Sequence, residues 1–142
     1  TKSNRTSMTI LIVSASALAS LSFILGFGVS LMRNKEKVSI GYDDKNLSSP
    51  LTKFCRAHSN HSEYAPVLIA LMGYIQLTCS YKNVSVPFWI QIVSLGCLIS
   101  RILLTLGLTL PADLKRPSVF RRLGGVGNYV FGLALAVSVL FV

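Results

Sequence analysis

The sequence predicts an all-α integral membrane protein, a four-helix bundle of spanning helices. Three observations carry that expectation. Of 142 residues, 51% are hydrophobic and only 13% are charged, about half the charged share of a soluble domain. The apolar residues gather in four runs of roughly the 20 residues that a bilayer core of about 30 Å requires. The basic residues that give a net charge of +9 sit at the ends of those runs, where they signal topology and meet anionic headgroups. They form no continuous basic stripe, which argues against nucleic acid as a partner. One domain, 1–142, accounts for the length.

The first span covers about 8–32. It contains no charge, and its first half is crowded with small residues, Ser14 to Ala17 with Ala19 and Ser20, which let helix backbones approach closely in lipid. It is longer than a signal-peptide core and lacks a convincing cleavage site, so it reads as a retained helix. Arg33, Lys35 and Lys37 close it. The polar stretch 34–50, with Asp43, Asp44, Asn46 and Pro50, is a loop. The second span, about 51–79, is polar in its first half and apolar in its second, and Pro66 is expected to kink it just beyond Glu63. Tyr81 to Asn83 make a short turn. The third span, about 87–108, opens with Trp89 as an interfacial anchor and carries Arg101 late in its course. A second polar loop, 109–117, contains Pro111, Asp113 and Pro117. The fourth span, about 118–142, has Gly124, Gly125, Gly127 and Gly132 for close helix contact.

Loop charges set the expected direction. Arg33, Lys35, Lys37, Lys45 and Lys53 fall on the same side as Lys115, Arg116, Arg121 and Arg122, whereas the other side has Lys2, Arg5 and Lys82. The positive-inside rule makes loops 33–50 and 109–117 cytoplasmic.

The chemistry is concentrated in the second span. A charge at the centre of a membrane helix costs about 2.5–3.5 kcal/mol on insertion scales, so a chain that keeps several there is expected to use them. At about 100° per residue, Arg56, Asn60, Glu63 and Tyr64 share one arc of about 100°. That arc offers a cation, an amide, a carboxylate and a phenol, a set that suits a ligand bearing both carboxylates and an ammonium. The competing structural reading is an intramolecular Arg56–Glu63 pair that holds the helices together; at i, i+7 the two lie two turns apart, so a direct bond within one helix is strained and pairing of each across helices is the alternative. Arg101 either pairs with Glu63 or contacts the ligand, and one of Arg121 and Arg122 faces the same region. His58 and His61 lie outside the arc at i, i+3 with no third ligand nearby, so no metal is expected. Cys55, Cys79 and Cys97 show no ligand spacing and read as small membrane residues. Of the sequons at Asn4, Asn46, Asn60 and Asn83, the one at Asn60 falls inside a helix and arises by chance.

The run 56–66, Arg-Ala-His-Ser-Asn-His-Ser-Glu-Tyr-Ala-Pro, resembles the signature Arg-Ala-x-x-Asn-x-x-Glu-Tyr-x-Pro of the MAPEG family, the membrane-associated proteins of eicosanoid and glutathione metabolism. The similarity extends over the four spans, the loop with Gly41 and Asp43, Arg101 with Gly107 and Leu108, and Arg121-Arg122-Leu123-Gly124. The resemblance implies a homotrimer in the bilayer of a bacterial inner membrane or endoplasmic reticulum. It implies glutathione as co-substrate, bound between subunits at the cytoplasmic side. Arg56, Asn60, Glu63, Tyr64 and Arg101 would bind it, with Arg33 reaching in from the neighbour. Arg121 would activate the thiol, with Arg122 the competing alignment. The chain departs from the family at Leu104 and Leu108, where better-known eukaryotic members carry tyrosines and many bacterial members a histidine at the first.

Two functions follow from the resemblance. One is a glutathione transferase or peroxidase that attacks a lipophilic small-molecule substrate, an electrophile or lipid hydroperoxide. The other is a non-catalytic lipid-binding scaffold. A four-span exporter is a third class, disfavoured because the first span holds no acidic residue.

Overall fold

The computed structural model describes residues 2–142, with side chains from Ile10 onward; Lys2, Asn4, Arg5 and Met8 lie outside the residues whose side chains are described. Four long helices follow in order: α1 (Lys2–Glu36), α2 (Pro50–Tyr81), α3 (Phe88–Thr109) and α4 (Val119–Ser138), and a 3₁₀ turn, Val139–Phe141, follows α4. All four are long and apolar enough to cross a membrane. The central helix is α3, which packs against each of the other three. Phe23 and Phe27 of α1, Ile92 and Ile99 of α3, and Leu133 and Leu140 beyond them stay exposed, as expected of faces whose solvent is lipid.

Helix ends depart from the sequence expectation by a few residues, and each departure has a local cause. Helix α1 continues to Glu36 rather than stopping at Met32. Arg33 and Lys35 form helix readily and complement the negative end of its dipole. It stops at Lys37, which adopts a left-handed φ of 54°. Val38 N–H then donates to the Arg33 carbonyl at 3.0 Å and Lys37 N–H to that of Asn34 at 3.3 Å, the paired bonds of a Schellman cap. Helix α2 starts at Pro50 because proline suits the first helical position, and the Ser49 hydroxyl accepts from Thr52 N–H at 3.4 Å. It runs on to Tyr81, where Asn83 at φ 53° repeats the same cap through Val84 N–H to the Cys79 carbonyl at 2.9 Å. The helix continues across Pro66. Helix α4 is shorter than expected, its last turn tightening to 3₁₀ geometry at Val139.

The core of the described residues has three clusters, one at one end of the bundle and two at the other, the smallest of them Val29, Leu51 and Cys55. One end is apolar, built on Leu18, Leu68, Met72, Ile90, Cys97 and Leu135. The other, around Leu25, Ala57, Leu104, Leu108 and Leu114, lies beneath the two longer loops and the polar half of α2. Cys55, Cys79 and Cys97 are all free and buried.

Glycines bring α3 and α4 together at that second end. A Cβ on Gly124 would strike the backbone of Leu104, and one on Gly107 would strike the backbone of Arg121. Neither obstacle is a flexible side chain, so accommodation requires the helices to separate. A Cβ on Gly125 meets open space. Gly124→Ala is therefore expected to lower stability by about 1–3 kcal/mol, whereas Gly125→Ala is neutral or slightly stabilising through helix propensity. Thermal unfolding of the two variants in the same detergent checks the contrast.

Candidate functional site

The polar half of α2 faces a cavity of about 300 Å³ lined by Tyr42, Arg56, Ser59, Asn60, Glu63, Leu104, Leu108 and Arg121. Three α2 residues of the expected arc thus share one cavity with Arg121. Arg122 is exposed and is not part of this lining. The local fold explains the choice between the two arginines. Ser118 caps α4, its hydroxyl accepting from Arg121 N–H at 3.2 Å, and Gly107 admits the Arg121 backbone against α3. The Arg121 guanidinium donates to the Leu114 carbonyl at 3.4 Å. Leu114 N–H in turn donates to the Leu47 carbonyl at 3.1 Å, so the two loops above the cavity are joined where Arg121 is held.

Arg56 supplies the clearest electrostatic feature. It is half-buried, and its Nε has no hydrogen-bond partner. A buried guanidinium donor without an acceptor is unfavourable by about 1–3 kcal/mol, and it suits an anionic group in the cavity.

Tyr64 turns out of this cavity. It lines a neighbouring apolar groove of about 410 Å³ between α2 and α4, with Val67, Leu71, Tyr129 and Leu133. Its hydroxyl is 3.3 Å from that of Tyr129, and the two rings meet edge to face with centroids 6.0 Å apart. Glu63 lines both the polar cavity and the apolar groove. Arg33 lines neither. It borders a separate surface cavity of about 590 Å³ with Ser30, Asn34 and Lys37, and its Nε is also buried without a partner.

Arg101 differs from both sequence alternatives. It is 1% exposed and is not part of the cavity lining. Glu63 is not among its hydrogen-bond partners. Its Nη1 donates to Asn60 Oδ1 at 3.0 Å and to Asn128 Oδ1 at 3.4 Å, and its Nε donates to His61 Nδ1 at 3.4 Å. The guanidinium carbon lies 5.5 Å from the Tyr64 ring centroid, within cation–π range. His61, fully buried, reaches α1 through Nε2, 2.9 Å from the Leu18 carbonyl. Sequence reasoning placed His61 correctly outside the arc but missed its role in this network, along with Asn128. The signal for Asn128 was available, since an amide in an apolar span needs a partner. Tyr42 and Ser59 were also missed in the cavity wall; Tyr42 follows Gly41, whose φ of 78° turns the loop there.

Four apolar helices, a polar half-helix at one end of the bundle and an arginine from the start of α4 are thus combined in one chain, and the model of the MAPEG family matches residues 11–141, nearly the whole of it. The chain belongs to the MAPEG family. No curated protein and no solved structure matches it. As a MAPEG protein it is a membrane protein of the group associated with glutathione and eicosanoid metabolism, and its Leu104 and Leu108 stand in the cavity wall itself.

Because Asn128 supplies one of the acceptors around a buried cation, Asn128→Leu leaves a guanidinium donor unsatisfied. It is expected to lower stability by about 1–3 kcal/mol. Asn128→Asp keeps an acceptor and adds a counter-charge, and is expected to retain wild-type stability. Thermal unfolding in detergent reads both; a Leu variant as stable as wild type contradicts the assignment.

Proposed function

We propose that this protein is a membrane glutathione transferase or peroxidase, with the cavity between α2, α3 and α4 as its thiol-activating site. The observation that carries this reading is the unpartnered Nε of Arg56 in a cavity that also holds Asn60, Glu63 and Arg121. Glutathione has two carboxylates, an ammonium and a thiol. Arg56 receives a carboxylate, Glu63 the ammonium, and Asn60 a carboxylate or amide oxygen. The cavity is at the small end of the range for ligand sites, about 300–1,000 Å³. In the proposed homotrimer a neighbour enlarges it, with that neighbour's Arg33 as the added cation.

The chemistry asked of Arg121 is modest. A free thiol with pKa about 8.5 is only a few per cent thiolate at neutral pH. Lowering that value by two units requires about 2.7 kcal/mol of preference for the anion. A unit charge at about 4 Å supplies roughly 4 kcal/mol at an effective dielectric of 20. The thiol proton leaves to water. The thiolate sulfur then bonds to an electrophilic carbon as that carbon's leaving group departs as an anion, or to the terminal oxygen of a hydroperoxide as the O–O bond breaks. In the second case the alkoxide takes a proton from water, and a second glutathione thiol converts the sulfenic acid to the disulfide with release of water. The apolar groove beside Glu63 delivers the lipophilic partner from the bilayer. With the basic loops 33–50 and 109–117 on the cytoplasmic side, glutathione enters from the cytoplasm.

The non-catalytic scaffold remains the second reading. It is favoured by Leu104 and Leu108, which place apolar groups in the cavity wall, and by the apolar groove beside it.

Titration of the detergent-solubilised protein with glutathione, followed by thiolate absorbance in the ultraviolet, separates the two. Wild type is expected to give the thiolate band and to conjugate a generic electrophile. Arg121→Ala is expected to bind glutathione without the band. Arg56→Ala is expected to weaken binding by about 10- to 100-fold. Binding with neither thiolate nor conjugation supports the scaffold, and a full thiolate band in Arg121→Ala refutes the role given to that arginine.

A further inference from the structure

A guanidinium only donates, and it stays protonated. The 3.4 Å contact from Arg101 Nε to His61 Nδ1 therefore requires Nδ1 to be an acceptor. The ring is then neutral, its proton resides on Nε2, and Nε2–H donates to the Leu18 carbonyl at 2.9 Å. The same reasoning fixes Asn60. Its Oδ1 accepts from Arg101 Nη1 at 3.0 Å, so its two amide hydrogens turn away from Arg101. Asn60 also lines the polar cavity beside Arg56 and Glu63. One hydrogen-bonded chain thus joins the α1 backbone, His61, Arg101 and the Asn60 amide, with Arg101 donating to both of its neighbours.

We propose that His61 is a positioning residue for the polar cavity: as the neutral Nε2–H tautomer it orients Arg101, and through Arg101 it presents the Asn60 amide as a hydrogen-bond donor to the ligand. Its binding consequence rests on the glutathione reading. The chain makes the Asn60 position selective for acceptor oxygens, a carboxylate or peptide carbonyl, over ligand groups that can only donate. It also explains why an imidazole serves here. The position needs an acceptor for α3 and a donor for α1 on one rigid ring, and neutral imidazole supplies both.

A purely structural role, a tie between α1 and α2 through the Leu18 bond, makes the opposite demand on substitutions. His61→Asn keeps an acceptor near the place of Nδ1 and loses the Leu18 donor. His61→Gln keeps a donor near the place of Nε2 and loses the acceptor for Arg101. With glutathione as the probe and full-length protein in nanodiscs, His61→Asn is expected to bind within about twofold of wild type. His61→Gln is expected to bind about tenfold more weakly, the effect of one misdirected hydrogen bond. The reverse order overturns the proposal. Nitrogen-15 spectra of the two histidines supply a readout that needs no ligand. A neutral Nε2–H imidazole at the His61 resonance is expected, with its Nδ1 signal shifting in Arg101→Lys; an Nδ1–H or cationic ring overturns the proposal. If wild type shows the expected tautomer but binds no glutathione, the glutathione reading falls, and the ability of His61 to orient Arg101 stands on the spectra.

Discussion

All four helices meet around one buried positive charge. Arg101 comes from α3, Asn60, His61 and Tyr64 from α2, and Asn128 from α4, while His61 carries the contact on to Leu18 of α1. A guanidinium within a membrane bundle is tolerated only where polar groups surround it. Here amide oxygens, an imidazole nitrogen and an aromatic face do so, and none of the hydrogen-bond acceptors is a carboxylate. The charge is solvated but not cancelled. With Arg56 and Arg121 in the cavity wall and Glu63 the one carboxylate beside them, the surroundings favour an anionic guest. That balance is the electrostatic reason to expect a peptide with two carboxylates, and a sulfur anion, in the proposed site.

The rest of the fold serves to hold this polar end in place. The apolar cluster around Leu18, Met72, Ile90 and Leu135 packs one end of the bundle. At the other end the close approach of α3 and α4, made possible by Gly107 and Gly124, sets the position from which Arg121 enters the cavity. The loops contribute as well. The Leu114–Leu47 bond joins them, and Glu36 accepts from Ser49 Oγ at 3.0 Å, tying the end of α1 to the start of α2. Glu63, shared by a polar cavity and an apolar groove, stands where a water-soluble co-substrate and a lipophilic one would meet.

Much of this was legible in the sequence because membrane burial leaves a strong signal. Four apolar runs fix four spans, and polar residues in such a run fix a face. The arc of Arg56, Asn60 and Glu63 follows from helical spacing alone, and the family is evident in the same residues. What the sequence hid depends on rotation and reach. Tyr64 lies at the edge of the arc, and its pairing with Tyr129 takes it into the adjoining groove. Arg101 is far from α2 in sequence, so its choice of amides over Glu63 depends on how α3 rotates against α2. His61 looked like a bystander because a histidine outside the polar arc gives no clue to its partner on another helix. The helix ends were misplaced because left-handed caps at Lys37 and Asn83 use residues other than the glycine usually found there.

The most direct test is an experimental structure of the protein in a lipid nanodisc with glutathione bound. A ligand carboxylate is expected within hydrogen-bonding distance of Arg56 Nε, with the sulfur beside the Arg121 guanidinium and Arg101 still held by Asn60 and His61. A structure in which Arg56 and Glu63 close on each other, with glutathione absent from the space between α2, α3 and α4, overturns the proposed site.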